Sequence, residues 1–265
     1  LWFVVPIGIF FICYRVWRKY GDDPVWDKVV IPEYQVPGNV SALEMGLLMK
    51  NGALKNEFVT AAIIELAVMG ALKIREEKNK ILFFTMTEYV LEKQSFSGLT
   101  LALHQQLLLD HIFETGSTVT LSSLKKTFYK VLSPLTESTL TSLVEKRLSE
   151  RGGRYYQITF FILAGILVFF SFGLLFEADS RIKGAALFLT AILFLGFGFV
   201  MPKRTLLGTE TNWKIKGLKL YMEKAEKYRQ QFYEKERLFE ALLPSAIVFG
   251  MTKEWIGKMQ DLYGA

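Results

Sequence analysis

The chain has very few of the residues that most metal and covalent sites use. Its 265 residues include one cysteine and two histidines. One cysteine cannot form an internal disulfide or a thiolate cluster. His104 and His111 are seven residues apart, whereas metal-binding pairs on a helix are more often spaced by four. Glycine-rich phosphate loops, HExxH and GxSxG motifs are also missing. We therefore expect no enzyme activity, cofactor, metal site or small-molecule substrate.

Charged residues are missing from two long stretches, Ile158–Phe176 and Gly184–Met201. A helix needs about 20 apolar residues to cross roughly 30 Å of hydrocarbon. Both stretches approach that length, and Glu177–Lys183 between them carries four charges. The pattern predicts a transmembrane helical hairpin over 158–201. The alternative is a pair of buried core helices in a soluble protein, which are seldom apolar on every face.

A third apolar segment covers residues 1–16. A secretory signal would have a cationic stretch before it and a small-residue cleavage site after it, and neither is present. We interpret the segment as a truncated transmembrane helix. Basic residues flank all three segments on the same side of the predicted membrane. The positive-inside rule then places residues 17–157 and 202–265 in the cytoplasm and 177–183 outside, giving a multi-pass cell-membrane protein.

A linker over 17–40 leads to the first predicted cytoplasmic module, residues 41–95. Ser41 and Glu44 have the spacing of a capping box, and Asn56 is expected to cap a second helix. A β-hairpin should follow, with its turn at Lys78-Asn79. Helix, helix and hairpin in this order indicate a winged-helix-like module.

Residues 96–157 resemble a second, partial copy of that pattern. The sequence predicts a helix over 99–114, a strand over 118–120 and a helix opened by Ser122 and ended by Pro134. A further helix should run from 136 to 149, with a wing over 152–156. The predicted fold class is therefore a mainly α membrane protein with a winged-helix-like (α+β) cytoplasmic insert.

Winged helices often bind DNA, but the charge of this one argues otherwise. The net charge of +6 is spread along the chain. The candidate DNA-recognition helix, residues 56–69, has no lysine or arginine. It carries Glu57 and Glu65, which a phosphate backbone would repel. No nucleic-acid partner is expected.

The tail, residues 202–265, is predicted to be helical. A long helix over 212–243 has an apolar stripe that includes Tyr221 and a basic first half beside Trp213. The basic half could lie on lipid headgroups, and the alternative is that the apolar stripe packs on the cytoplasmic insert. Pro244 should end the helix, and Thr252 should cap a last one. The candidate interaction or structural residues are Trp213, Tyr221, Phe249, Gly250 and Trp255. Of these, Phe249 and Trp255 should bury against the insert, and Gly250 should take a positive φ.

Three blocks of the chain are similar to one family. They are Tyr34–Leu48, Thr60–Ile74 and a tail block with Gly217–Tyr221, Phe239–Gly250 and Trp255. They resemble the cytoplasmic region of the YciQ-like predicted membrane proteins, a family of unknown function. The chain differs from the family pattern at Leu218 and Ser245, where Phe and Tyr are favoured. The resemblance implies an extracytoplasmic β-rich domain upstream of residue 1 and no known activity.

Two classes of function fit these observations, and an enzyme with an unrecognised site is a third alternative. The first is a membrane-anchored adaptor or sensor, whose candidate partners are the lipid bilayer, an unidentified protein and a second copy of itself. The alternative is a membrane-tethered transcription regulator. The acidic character of residues 56–69 favours the first.

Overall fold

The computed structural model describes residues 2–81, 84–95, 100–177, 180–224 and 238–263. The chain divides into two compact units. The first comprises Leu1–Asp27 and Lys146–Glu210, and the second comprises Lys28–Glu145 and Thr211–Ala265. The described helices and strands, in chain order, are α1 (Val4–Tyr20), α2 (Ala42–Met49), α3 (Asn56–Val68), β1 (Leu72–Ile81), β2 (Phe84–Lys93), α4 (Leu103–Ile112), β3 (Thr118–Thr120), α5 (Leu121–Thr127), α6 (Tyr129–Glu145), α7 (Arg151–Phe176), α8 (Arg181–Val200), α9 (Leu206–Glu223), α10 (Leu238–Phe249) and α11 (Thr252–Tyr263).

The first unit is built from the three apolar segments, and all three are helical. Helices α7 and α8 pack against each other, and α1 packs mainly on α8. Cys13, Phe160 and Met201 form a buried hydrophobic cluster in this unit. Helix α7 begins seven residues before the charge-free stretch, so the predicted wing at 152–156 is wrong. Gly153 is explained instead by close packing, because a Cβ there would meet the Lys203 nitrogen at 2.9 Å.

The second unit contains a three-stranded antiparallel sheet in the order β1-β2-β3. The predicted turn at Lys78-Asn79 is wrong, because these residues continue β1 and pair with Thr87 and Met86. The strands pair as far as Ile81 with Phe84, so ladder hydrogen bonds outweigh the turn preference of asparagine. β3 is confirmed as a strand, and its Val119 lies opposite Leu91 with both side chains buried.

In the predicted cytoplasmic insert, which comprises residues 17–157, one predicted helix cap is confirmed and another is wrong. Ser41 caps α2 in a complete capping box with Glu44, as predicted. Asn56 is not a cap: it is the first residue of α3, Lys55 holds the cap position, and no side chain bonds there. Helix α4 spans only Leu103–Ile112, and part of its predicted first turn lies outside the described residues.

Prolines do not break the helices where the sequence suggested. The helix predicted between Ser122 and Pro134 is divided in the structure. Its first part is α5, which is capped by Thr120 rather than Ser122 and has its C-cap at Phe128. Pro134 lies inside α6 and is exposed, and because proline has no N–H, it donates no helical hydrogen bond to the Lys130 carbonyl. Pro244 likewise lies inside α10, which continues to Phe249.

The tail helices also start at different residues from those predicted. α9 begins at Leu206 rather than at residue 212. The middle of the predicted long helix, residues 225–237, lies outside the described residues. Thr252 is the first residue of α11 rather than its cap.

Close helix crossings form the core of the second unit. α10 packs chiefly on α3 and also on α2, while α4 packs on α6. At the α2–α3 crossing, Gly46 faces the buried ring of Phe58 so closely that a Cβ would lie 2.6 Å from a ring carbon. The tail and the insert therefore share one hydrophobic core.

Candidate interaction site and its buried polar support

The first turn of α2 is surrounded by polar side chains from three other helices. We call this group the α2 cap cluster. Its members come from α2 and its cap, from α3, from α4 and from α6. They are Ser41, Glu44, Glu65, His104, Gln105 and Ser142.

Glu44 is fully buried and its two carboxylate oxygens accept separate hydrogen bonds. The backbone N–H of Ser41 donates to Oε2 at 2.7 Å, and the hydroxyl of Ser142 donates to Oε1 at 2.6 Å. Its own N–H donates to the Ser41 hydroxyl at 3.2 Å. A carboxylate at a helix N-terminus is stabilised by the helix dipole and by these donors. Glu44 thus ties α6 to the start of α2.

Glu65 satisfies the next backbone donor of α2. Its Oε1 accepts from the N–H of Ala42 at 2.9 Å, and its Oε2 accepts from the Gln105 side-chain amide at 3.1 Å. Gln105 also accepts from the N–H of Ala102 at 3.0 Å, which closes the start of α4. Helices α2, α3 and α4 are therefore locked together by side chains at their ends.

The cluster also contains a serine–histidine pair. Ser41 Oγ lies 2.8 Å from His104 Nε2, which is within the reach that a nucleophile and its base require. However, the side chain of His104 is 1% exposed and Ser41 is 8% exposed, and the Ser41 hydroxyl is already engaged by the cap of α2. The geometry is that of a structural cap, in which the hydroxyl joins α2 to α4.

The histidines of the chain have the following neighbours. In the parts of the chain that the structure describes, no group of three or more His, Cys, Asp or Glu side chains could hold a metal ion. His104 is bonded to Ser41, and His111 Nδ1 lies 3.5 Å from a carboxylate oxygen of Glu114.

Two of the predicted interaction residues, Trp213 and Tyr221, lie on α9 beneath the segment Lys28–Tyr34, which we call the strap. The indole N–H of Trp213 donates to the Lys28 carbonyl at 2.7 Å. The ring of Tyr34 meets that of Tyr221 edge-on, with centroids 4.8 Å apart. Between them, Gly217 permits the approach of the strap backbone, since a Cβ there would collide with the Ile31 carbonyl oxygen. These two aromatic residues hold the strap on α9.

The other three predicted residues form the corner between α10 and α11. Trp255 is fully buried, whereas Phe249 is only half-buried. Gly250 has φ +72°, and a Cβ there would meet nothing within 4 Å. Glycine is therefore explained by its backbone angle rather than by space. An interaction role for these five residues stays a prediction.

Sequence reasoning found part of the α2 cap cluster and missed the rest. The capping box is readable because its partners are three residues apart. His104 and Ser142 lie 63 and 98 residues from their partners, so no local pattern could assign them. Leu218 and Ser245, which depart from the family pattern, are 0% and 2% exposed, so both positions belong to the core.

These features define a mainly α-helical protein with a small antiparallel sheet, in which α7 and α8 are long and apolar enough to cross a membrane. The chain belongs to the family described as "Predicted membrane protein (DUF2207) C-terminal domain", whose model matches residues 31–259. This confirms the resemblance to the YciQ-like proteins. No curated protein and no solved structure matches the chain.

Proposed function

We propose that the chain is the membrane anchor and cytoplasmic interaction domain of an adaptor or sensor protein. The first unit spans the bilayer as a multi-pass anchor, and the second unit binds a protein partner on the cytoplasmic side. Protein binding by the second unit is inferred mainly from one observation, which is that α10 covers α3.

Exposure of the apolar helices supports the anchor. Only 17% of the apolar window of α7 and 28% of that of α8 are buried inside the structure. Core helices of a soluble protein bury most of such a surface, because leaving it in water is unfavourable by about 25 cal/mol per Å². Lipid is the solvent in which so many exposed Phe, Leu and Ile side chains are stable.

The sidedness of the anchor follows from its basic flanks and can be tested by cysteine labelling. In a Cys13→Ser background, Glu177→Cys should react with an impermeant thiol reagent on intact cells, and Lys214→Cys should react only after the cells are opened. Both side chains are exposed, so each site is accessible to the reagent once on its side. If only Lys214→Cys were labelled on intact cells, the protein would have the orientation opposite to the one proposed.

The surroundings of α3 favour a protein partner over DNA. In a winged helix that binds DNA, the corresponding helix enters the major groove and must be free and basic. Here α3 has no lysine or arginine, and its main packing partner is α10. Glu65 of α3 is also engaged in the α2 cap cluster.

We further propose that the helices and sheet of the second unit act as a winged-helix-like module. The order of α2, α3 and the β1–β2 hairpin supports this, and β3 supplies a third strand. Such a module would offer the outer surface of α4 and α6 to a partner, because α10 covers α3. Leu103 and Tyr129 are 74% and 68% exposed at the starts of those helices.

Site-specific photo-crosslinking in the native membrane tests the adaptor role. A photoreactive phenylalanine at Leu103 or Tyr129 of the full chain should give discrete protein adducts, identifiable by mass spectrometry. The matched control is Phe170, which is 59% exposed on α7 and should give lipid adducts only. Lipid adducts alone from all three positions, or sequence-selective retardation of DNA by the purified chain, would contradict the proposal.

A further inference from the structure

Two half-buried tyrosines and an exposed lysine join the end of α1 to the start of α7. The rings of Tyr20 and Tyr156 stack with centroids 4.6 Å apart. The Lys19 ammonium lies over the Tyr20 ring, 4.9 Å from its centroid. We call these three residues the Lys19–Tyr20–Tyr156 cluster. The side chains come from two helices, so the cluster depends on their packing.

The position of the cluster is fixed by a close approach of three chain segments. Gly153 lies in the first turn of α7, and a Cβ there would meet the Tyr20 carbonyl oxygen at 3.2 Å and the Lys203 nitrogen at 2.9 Å. The end of α1, the start of α7 and the residues after α8 therefore meet at one end of the first unit. The basic flanks assign this end to the cytoplasmic face in the proposed topology.

Positive charge at this end is only partly compensated. Arg18 pairs with Asp22, Arg204 pairs with Asp23, and Lys203 lies 3.7 Å from Glu150. Within the described part of the chain, no acidic partner is found for the side chains of three further residues, which are Arg15, Arg151 and Arg154. The surface around the cluster is thus cationic and able to bind an anion.

The cluster contains hydrogen-bond donors that an anion can use. A cation–π contact with the Tyr20 ring occupies none of the three N–H donors of the Lys19 ammonium. The two stacked phenols each carry one O–H donor. The neighbouring Tyr20 side chain raises the pKa of the Lys19 ammonium, which lies beyond the apolar segment 1–16 and stays protonated at neutral pH.

We propose that the Lys19–Tyr20–Tyr156 cluster, with Arg151 from the first turn of α7, holds the phosphate of an anionic phospholipid headgroup. The inference rests on the proposed membrane anchor and adds a ligand to it. Tyr155 supports a lipid over a soluble anion: its ring packs edge-on against Tyr156 at 5.7 Å and is 70% exposed. An exposed aromatic ring beside phosphate-binding groups is typical of the membrane interface.

Native mass spectrometry of the full chain in detergent tests the site. The probes are dioleoylphosphatidylglycerol and dioleoylphosphatidylcholine, which differ in headgroup charge but not in acyl chains. The anionic lipid should bind at least tenfold more tightly. Lys19→Gln and, independently, Arg151→Gln should each weaken it about fivefold, because one cation near an anionic headgroup contributes about 1 kcal/mol. Tyr156→Phe should weaken it without changing the charge.

The matched control is Lys183→Gln. Lys183 is also a cation beside an aromatic ring, 5.3 Å from the centroid of Trp2, but lies in the segment assigned to the opposite face. Its removal should leave affinity for the anionic lipid unchanged. Equal affinities for the two lipids, or wild-type affinity in both Lys19→Gln and Arg151→Gln, would overturn the inference. Displacement of the lipid by an equal concentration of inorganic phosphate would also overturn it and indicate a soluble anion site.

Extraction of membranes with alkaline carbonate separates this inference from the proposed anchor. If the chain stays in the membrane pellet but shows no preference for the anionic lipid, only the headgroup site is wrong. If carbonate releases the chain, the membrane anchor itself is wrong.

Discussion

Gly46→Ala is the substitution whose effect the packing of the second unit defines most clearly. Gly46 is a buried residue of α2, where that helix crosses α3. An added Cβ would lie 2.6 and 2.8 Å from two carbon atoms of the Phe58 ring, which is 2% exposed. Real Cβ atoms essentially never approach that closely, so the helices or the ring must move.

Two opposing effects set the size of the change. Overpacking of a buried site costs about 1–3 kcal/mol, and three close ring atoms place Gly46 toward the upper end. Replacing glycine with alanine inside a helix recovers up to about 1 kcal/mol of helix propensity. The net loss in the free energy of unfolding should be about 1–2 kcal/mol, which lowers the melting temperature by roughly 2–8 °C in a unit of this size.

Gly257→Ala is the matched control, because a Cβ at Gly257 in α11 would meet nothing within 4 Å. It makes the same chemical change without the collision, so it should raise stability by up to about 1 kcal/mol. Thermal unfolding of the full chain in detergent, followed by intrinsic fluorescence, measures both. Phe58→Leu should reduce the penalty of Gly46→Ala in a double-mutant cycle. A Gly46→Ala protein as stable as Gly257→Ala would refute the assigned crossing.

Three further substitutions test other parts of the second unit. Trp255→Ala should lower the free energy of unfolding by about 3–5 kcal/mol because the indole is fully buried. Phe249→Ala should lower it by less because its ring is half-buried. Equal losses in melting temperature would contradict this ranking. Gly217→Ala should lift the strap from α9, and the resulting change in fluorescence should vanish when Trp213 is already phenylalanine; a change that persists would place the disturbance elsewhere. Glu44→Ala should cost about 1–3 kcal/mol, because the Ser41 N–H and the Ser142 hydroxyl both lose their acceptor; a wild-type melting temperature would argue against the assigned hydrogen bonds.

Local sequence signals predicted several elements and failed at others for identifiable reasons. The capping box of α2 and the strand β3 were found because their patterns need only a few neighbouring residues. The turn at Lys78-Asn79 and the helix break at Pro134 were wrong, because each rested on a single residue's preference. At Lys78-Asn79, continued pairing with β2 outweighed the turn preference of asparagine. At Pro134, the exposed position in α6 allowed the helix to continue through the proline.

By itself, the sequence determined the three apolar helices, the class of protein and the absence of familiar catalytic motifs, because these depend on composition and on spacing along the chain. Only the tertiary structure decided that α10 covers α3, that Ser142 and His104 support the first turn of α2, and that Tyr20 stacks on Tyr156. Those contacts join residues far apart in the chain. Their partners are chosen by packing and by the need to satisfy buried polar groups, and neither leaves a periodic pattern to be read.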